Sequence, residues 1–293
     1  MRTIDLIRLL ALAAIWGASF LFMRLIAPVL GPLWTAELRV GIAGLLMLVF
    51  MVATAQPMRF RANWRQYLII GTVNSALPAS LYAYAALTLP AGYSAILNAT
   101  SPLWGALIGA AVLSEPLGAR KIVGLFCGVA GVALLVRLGP VQFTPEVLLA
   151  ALACLLATVC YASSGAYSKL RSAGIAPGLM ATGSQLGAAA VLLPALPLAP
   201  MRSEPTLQIL LLVLALAAIC SAVAYFIYFR LLADIGPTKT LTVTFLIPLF
   251  ALVWGALFLG EVISITTLAG CALVVLATWL VTVAPRRALA SAN

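Results

Sequence analysis

The chain says the same thing twice at a fixed offset. Tyr82, Pro102, Leu103, Gly109, Ala110, Leu113, Glu115, Gly124, Val129 and Leu134 return 146 residues later as Tyr228, Pro248, Leu249, Gly255, Ala256, Leu259, Glu261, Gly270, Val275 and Leu280. An earlier stretch, from Trp16 and Ser19 to Arg24 and Leu25, returns as Tyr161 and Ser164 to Lys169 and Leu170 at an offset of 145, and Pro32 returns as Pro177. A duplicated chain folds each copy into a comparable unit. Whatever residues 1–138 build is expected again from residues 139–293.

The repeat is written in residues that could not cover a water-facing surface. Of 293 residues 64% are apolar and 8% charged, where a soluble domain carries about 25% charged residues. The lipid bilayer is therefore the main solvent and the first partner. Breaks at Gly, Pro and charge clusters leave ten apolar runs, near 4–26, 33–54, 66–88, 91–113, 119–137, 146–169, 177–199, 206–232, 238–259 and 265–284. Each is close to the ~20 residues that a spanning helix needs. The first run, Ile4 to Ile26, is too long for the ~7–15-residue core of a secretory signal and reads as a membrane helix.

Charge sets the orientation. With the N-terminus inside, the cytoplasmic segments hold 13 Lys and Arg, among them Arg286 and Arg287, and the outer segments hold Arg24, Arg137 and Arg202. Arg39 falls within a span. This asymmetry places both termini in the cytoplasm, at a plasma or inner membrane. Five spans per copy is an odd number, so the second copy runs through the membrane reversed. Arg24 then meets the outer face and its echo Lys169 the inner face. The fold class expected is all-α and integral to the membrane, with ten transmembrane helices as two inverted five-helix repeats. Such repeats let one design open to either side by exchanging the conformations of its halves, the requirement of a transporter working by alternating access.

Other function classes recede. The chain has no His, which removes the usual zinc ligand, proton relay and triad base. Cys127, Cys154, Cys160, Cys220 and Cys271 all lie in apolar runs without CxxC spacing and read as buried thiols. No catalytic residues, metal or cofactor are expected. The net charge of +10 is spread over the ends of apolar runs with no basic–aromatic cluster, so no nucleic-acid partner is expected. Gly105/Gly109 and Gly124/Gly128 permit close helix contact. They read as packing within one bundle, and a monomer is expected.

Polar groups at mid-membrane are costly and tend to face a bundle interior. By that criterion Asn74, Ser75, Tyr82, Asn98, Ser221, Tyr225, Tyr228 and Thr244 are candidates for a central cavity. Pro102 and Pro248 would each free a carbonyl about one turn earlier, at Asn98 and Thr244. These are acceptors for a substrate ammonium, or a static kink satisfied by a neighbouring hydroxyl. Trp16, Trp104, Tyr161 and Trp254 sit within spans and not at the headgroup belt. They are cavity walls or ordinary packing. Ser19 and Ser164 are repeat-matched polar positions one turn beyond Trp16 and Tyr161. Arg39 lies roughly 10 Å into its span, at ~1.5 Å per residue from Leu33, and is the candidate for a substrate carboxylate or a gating ion pair. Glu37 projects nearly opposite to it and is expected to meet Arg24. Glu115 and Glu261 read as helix caps. With no carboxylate near mid-bilayer, proton coupling is expected to be weak or absent, Glu37 excepted.

At these residues the chain resembles the drug/metabolite transporter superfamily, in particular its ten-helix exporters. The resemblance rests on Trp16-Gly-Ala-Ser-Phe20, on the Arg39 region, and on the two P-x6-G-x3-L-x-E blocks that start at Pro102 and Pro248. Ser114-Glu115 departs from the Gly-Glu of the family, which Gly260-Glu261 keeps. The resemblance implies export of amino acids and other metabolites, with aromatic compounds or cationic drugs for some members. The substrate class expected is a small amphipathic metabolite, an amino acid or a related compound. Nucleotide-sugar or sugar-phosphate carriage and organic-cation export are the alternatives. Sugar phosphates want two or more cavity cations, and Arg39 supplies one.

Overall fold

A computed structural model describes residues 2–138, 141–172 and 174–282. Arg286 and Arg287, which entered the charge asymmetry, lie outside these. The described secondary structure is all helical. In chain order the helices are α1 (Thr3–Leu30), α2 (Pro32–Ala53), α3 (Phe60–Ile70, Gly71–Ala76 and Leu77–Ala85), α4 (Ala91–Asn98 and Ser101–Leu113) and α5 (Ala119–Leu138). The second set is α6 (Pro145–Arg171), α7 (Pro177–Leu192 with a 3-10 turn Leu193–Leu198), α8 (Leu207–Ala217, Ala218–Val223 and Ala224–Ile235), α9 (Pro237–Thr240 and Val243–Leu259) and α10 (Ile265–Thr282). Eight helical stretches are long and apolar enough to cross a bilayer. The remaining two are α3, whose first turns carry Arg61, Asn63, Arg65 and Gln66, and α9, whose main segment has 17 residues. Ten crossings in two copies match the expected architecture. In hydrocarbon a helix satisfies its own backbone, which is why each run closes on itself.

Helix ends follow local chemistry. Proline opens α2, α6, α7 and α9, where its missing amide is no loss. Thr144 caps α6 by accepting from the Val147 amide at 3.3 Å. Left-handed residues close several helices, Gly31 at φ 81°, Gly236 at φ 79° and Gly260 at φ 64°. Ser114 stands at the repeat position of Gly260 and adopts φ 55°. Both turns are closed alike, Glu115 N–H to Gly109 O and Glu261 N–H to Gly255 O, each 3.1 Å. A side chain in this region costs about 1–2 kcal/mol. Ser114→Gly is therefore expected to raise stability by about 1 kcal/mol and Gly260→Ser to lower it by about as much, read as thermal midpoints in detergent. Equal midpoints for the two variants would contradict the strain.

Within α3 and α8 one turn is of π type, Gly71–Ala76 and Ala218–Val223, starting 147 residues apart. The repeat thus extends to a helix defect, and each defect carries the matched serine, Ser75 or Ser221. Exposed apolar side chains such as Val49, Val52, Phe126, Leu257 and Phe258 face outward as a lipid-facing surface requires.

Call the end of the bundle where α1 begins the near face, and the opposite end the far face. On the near face Asp234 at the end of α8 meets Arg8 at 2.8 Å, Arg230 at 3.0 Å and Arg2 at 3.3 Å. Buried Asp5 joins this network through Arg2 at 3.1 Å. On the far face Trp34 Nε1 donates to Ala199 O at 2.9 Å, and the Ser203 amide to Val29 O at 3.0 Å. The two repeats interdigitate: α1 packs on α9, α2 on α7, α3 on α6, and α5 on α10. Glycine permits the last contact. A Cβ at Gly131 would sit 3.0 Å from Gly270 O, and one at Gly124 3.0 Å from Ala277 O. Gly124 and Gly128 serve packing inside the bundle, whereas Gly105 faces open space.

Candidate functional site

Side chains from α1, α2, α3, α4, α6 and α8 converge in the middle of the bundle. Trp16 and Tyr228 rings lie 5.6 Å apart, Phe20 meets Tyr82 edge-on at 5.5 Å, and Tyr82 stacks near Tyr161 at 6.3 Å. Tyr225 stacks on Phe229 at 5.9 Å, and Tyr228 meets the same ring at 5.5 Å. Tyr82 Oη donates to Asn98 Oδ1 at 2.8 Å. Arg39 reaches into this aromatic group from α2. Its Nε donates to Ser221 Oγ at 3.2 Å and its Nη1 contacts Met23 Sδ at 3.6 Å. Tyr161, Tyr225 and Cys220 all lie within electrostatic reach of the guanidinium. Among the described residues no carboxylate pairs with Arg39. An unpaired cation inside a membrane bundle is costly and points to function. At the 145 offset its counterpart is Ser184, so the charge belongs to one repeat only.

A groove of about 410 Å³ leads from Tyr161 toward the near face. Ser101, Pro102 and Gly105 of α4, Gly165 and Lys169 of α6, and Thr244 of α9 form its walls. Its mouth is spanned by Lys169 Nζ and Glu115 Oε1 at 2.8 Å, and this ammonium holds the Glu115 carboxyl below its ordinary pKa. The far face is shut where Gly92, at the start of α4, abuts Leu252 of α9, and deeper in the bundle Trp254 Nε1 donates to Ala14 O at 3.0 Å. A larger space of about 550 Å³ lies sideways between α4, α5 and α6. Its lining is apolar apart from Thr100 and Trp104, and it opens toward lipid-facing residues such as Val129.

The sequence candidates divide accordingly. Trp16, Arg39, Tyr82, Asn98, Tyr161, Tyr225 and Tyr228 come together at the centre. Thr244 lines the groove, with its hydroxyl bound to Leu241 O at 2.8 Å. Trp104 lies in the sideways space instead, its buried Nε1 without a partner. Ser19 is buried and bonds back to Trp16 O at 2.6 Å. Ser164 is buried one turn from Tyr161 in α6, and Asn74 is half-buried in the π turn of α3. Among the described residues no hydrogen bond joins either of them to the aromatic group. Trp254 serves packing of α9 on α1.

Two expectations are corrected, and one open alternative is decided. Arg24 does not meet Glu37: it donates to the carbonyls of Ala86 at 2.7 Å and Leu87 at 3.0 Å, free acceptors at the end of α3. Glu37 Oε2 is buried without a partner. At the α4 kink the static alternative applies, with hydroxyls bound to the carbonyls there. Ser101 Oγ donates to Asn98 O at 2.6 Å, Thr100 Oγ1 to Leu97 O at 2.7 Å, and Thr278 Oγ1 to Ala99 O at 2.6 Å. Finally, Glu261 does not cap the helix that follows it. Its Oε1 accepts from the Ala91 amide of α4 at 2.8 Å.

The sequence reading missed Phe20, Met23 and Gln185. Gln185 of α7 approaches Tyr225, and its buried Oε1 has no partner. The criterion that a mid-span polar side chain is costly would have found it.

Comparison with known proteins places this architecture. The EamA-like transporter family matches residues 4–137 and again 148–283. Protein PecM of Dickeya dadantii is 30% identical over 87% of this chain and 84% of its own length. The uncharacterized transporter YvbV of Bacillus subtilis is 24% identical over 92% of this chain and 88% of its own. A chloroplastic WAT1-related protein of Arabidopsis thaliana is 28% identical over 91% of this chain, which spans 66% of that relative. A solved crystal structure superposes with a TM-score of 0.69 at 20% identity, covering 98% of this chain and 99% of that one. Two matched copies, a shared ten-helix fold and transporter relatives across nearly the whole chain make this protein an integral membrane transporter of the EamA-like family, within the drug/metabolite transporter superfamily.

Proposed function

We propose that the protein is a secondary transporter for small amphipathic metabolites bearing a carboxylate, amino acids or related compounds, and that it works by alternating access as an exporter. The carrying observation is Arg39, a guanidinium with no carboxylate partner among the described residues, beside Tyr161 and Tyr225 in the aromatic group that also holds Trp16 and Tyr228. A carboxylate satisfies the guanidinium fork bidentately. The aromatic walls suit an apolar or aromatic side chain, or a cation over a ring face. Gln185 Oε1, buried and unpartnered near Tyr225, is a fitting acceptor for an ammonium group. In this reading the near face is cytoplasmic, the near-face groove is the inward path, and residues 1–138 and 139–293 are the two moving repeats of a monomer. A plasma or inner membrane fits the Lys and Arg asymmetry.

The test is counterflow in proteoliposomes, with amino acids, phosphosugars and organic cations as competitors. Competition by carboxylate-bearing amino acids is the expected outcome. Competition by phosphosugars alone, or by organic cations alone, would overturn the assignment.

A further inference from the structure

The two faces of the bundle carry the same charged pair in different arrangements. On the shut far face the turn from α3 to α4 is held at both ends. Arg24 binds the Ala86 and Leu87 carbonyls that end α3, at 2.7 and 3.0 Å, and Glu261 binds the Ala91 amide that begins α4, at 2.8 Å. On the open near face the repeat counterparts are Lys169 and Glu115, and they bind each other at 2.8 Å across the mouth of the groove. Among the described residues neither is bonded to the turn they would hold, the end of α8 at Leu232 and Ala233 before Pro237 of α9. Gly255 and Gly109 lie under the two carboxylates, where a Cβ would meet Glu261 Oε2 or Glu115 Oε2, so each glutamate folds over its own helix in the same way.

We propose that Arg24–Glu261 and Lys169–Glu115 are exchanging latches that set which face is open. On a closed face the cation holds the carbonyls ending the first helix of the turn and the carboxylate holds the start of the second. On an open face the two release the turn and pair with each other. Opening the far face therefore brings Arg24 to Glu261, and closing the near face sends Lys169 to the Leu232 and Ala233 carbonyls. The latches are unequal. Pro237 stands at the counterpart of Ala91 and has no amide, so Glu115 cannot copy the hold of Glu261. The near-face latch is the weaker, which accounts for an open near face.

The inference rests on the alternating-access reading and not on the substrate, so its test uses none. Gly165 lies on the groove wall, and a Cβ there meets nothing within 4 Å. Gly165→Cys, in a chain whose five native cysteines are replaced, is exposed to a water-soluble methanethiosulfonate from the near-face side. Rapid modification is expected. Arg24→Gln and Glu261→Ala, on different helices, should each slow it about fivefold or more by shifting the population toward far-face opening. Lys169→Gln should leave the rate unchanged or raise it. The exchange Arg24→Glu with Glu261→Arg can still pair but cannot hold the turn, because a carboxylate would face carbonyls. It should stay slow. A slow wild-type rate, wild-type rates in both single variants that elute as monodisperse protein, or recovery in the exchange variant overturns the latch.

Discussion

Arg39→Ala is expected to weaken binding of a carboxylate substrate by roughly 30- to 100-fold, the loss of about 2–3 kcal/mol of charge-assisted hydrogen bonding. The size follows from the surroundings. Arg39 spends Nε on a hydroxyl and Nη1 on a thioether, neither of which carries charge. Arg39→Lys keeps the charge but loses the fork, and should recover only part of the affinity. The purely structural alternative, that Arg39 merely ties α2 to α8 through Ser221, makes a different prediction. Under it Ser221→Ala would cost as much as Arg39→Ala. Under the proposed role Ser221→Ala costs a few-fold at most, because the cation stays. A decarboxylated substrate analogue separates the two again. Wild type should bind the analogue about as weakly as Arg39→Ala binds the parent compound, and Arg39→Ala should not distinguish the two compounds. If the variant discriminates between them as well as wild type does, Arg39 is not the carboxylate partner. Trp16→Ala should lose affinity in proportion to the apolar size of the substrate, since the ring faces Tyr228 across the same space.

Much of this is legible in the sequence, because lipid simplifies the problem. With no water to satisfy the backbone, an apolar run of the right length has few options but helix, so ten runs gave ten crossings and the 146-residue offset gave their pairing. The central side chains were legible because polarity is conspicuous in such a background: Arg39, Tyr82, Tyr225 and Tyr228 stand out in apolar spans. What sequence did not convey was partnership across the bundle. Pro102 announces a kink, but that Thr278 of α10 would reach Ala99 O depends on how α10 lies against α4. Trp104 and Trp16 look alike in sequence, yet one faces the sideways space and the other the centre, because helix rotation decides direction and the apolar runs carry little amphipathic signal. Glu261 reads as a cap in sequence, but the helix it caps lies 170 residues away and does not follow it in the chain.

Gly71→Ala is expected to cost about 2–3 kcal/mol, and Gly71→Leu to give no monodisperse protein. A Cβ at Gly71 would lie 2.5 Å from Ser184 O, 2.7 Å from Ala188 N and 2.9 Å from Gly187 C. Every one of these atoms is backbone, so no side chain can swing aside and α7 as a whole must move. The approach is mutual, because a Cβ at Gly187 would run into Tyr67 O. Close backbone contact through small residues is the main source of helix association in lipid, where apolar burial gives no preference for protein over acyl chain. The contrast is Gly165→Ala, which meets open space and should leave the thermal midpoint in detergent unchanged. Equal midpoints for Gly71→Ala and Gly165→Ala would refute the seam. The seam also bears on the central site. Gly71 begins the π turn that leads through Ser75 to Tyr82, and Gln185 lies between Ser184 and Ala188 on the opposing helix. Forcing α3 from α7 moves Tyr82 and Gln185 relative to each other, and these two border Tyr161 and Tyr225, the tyrosines beside Arg39. A temperature-tolerant host or a stabilising lipid can rescue the amount of Gly71→Ala protein. It should not rescue affinity, which is expected to stay below wild type in correctly folded, purified protein.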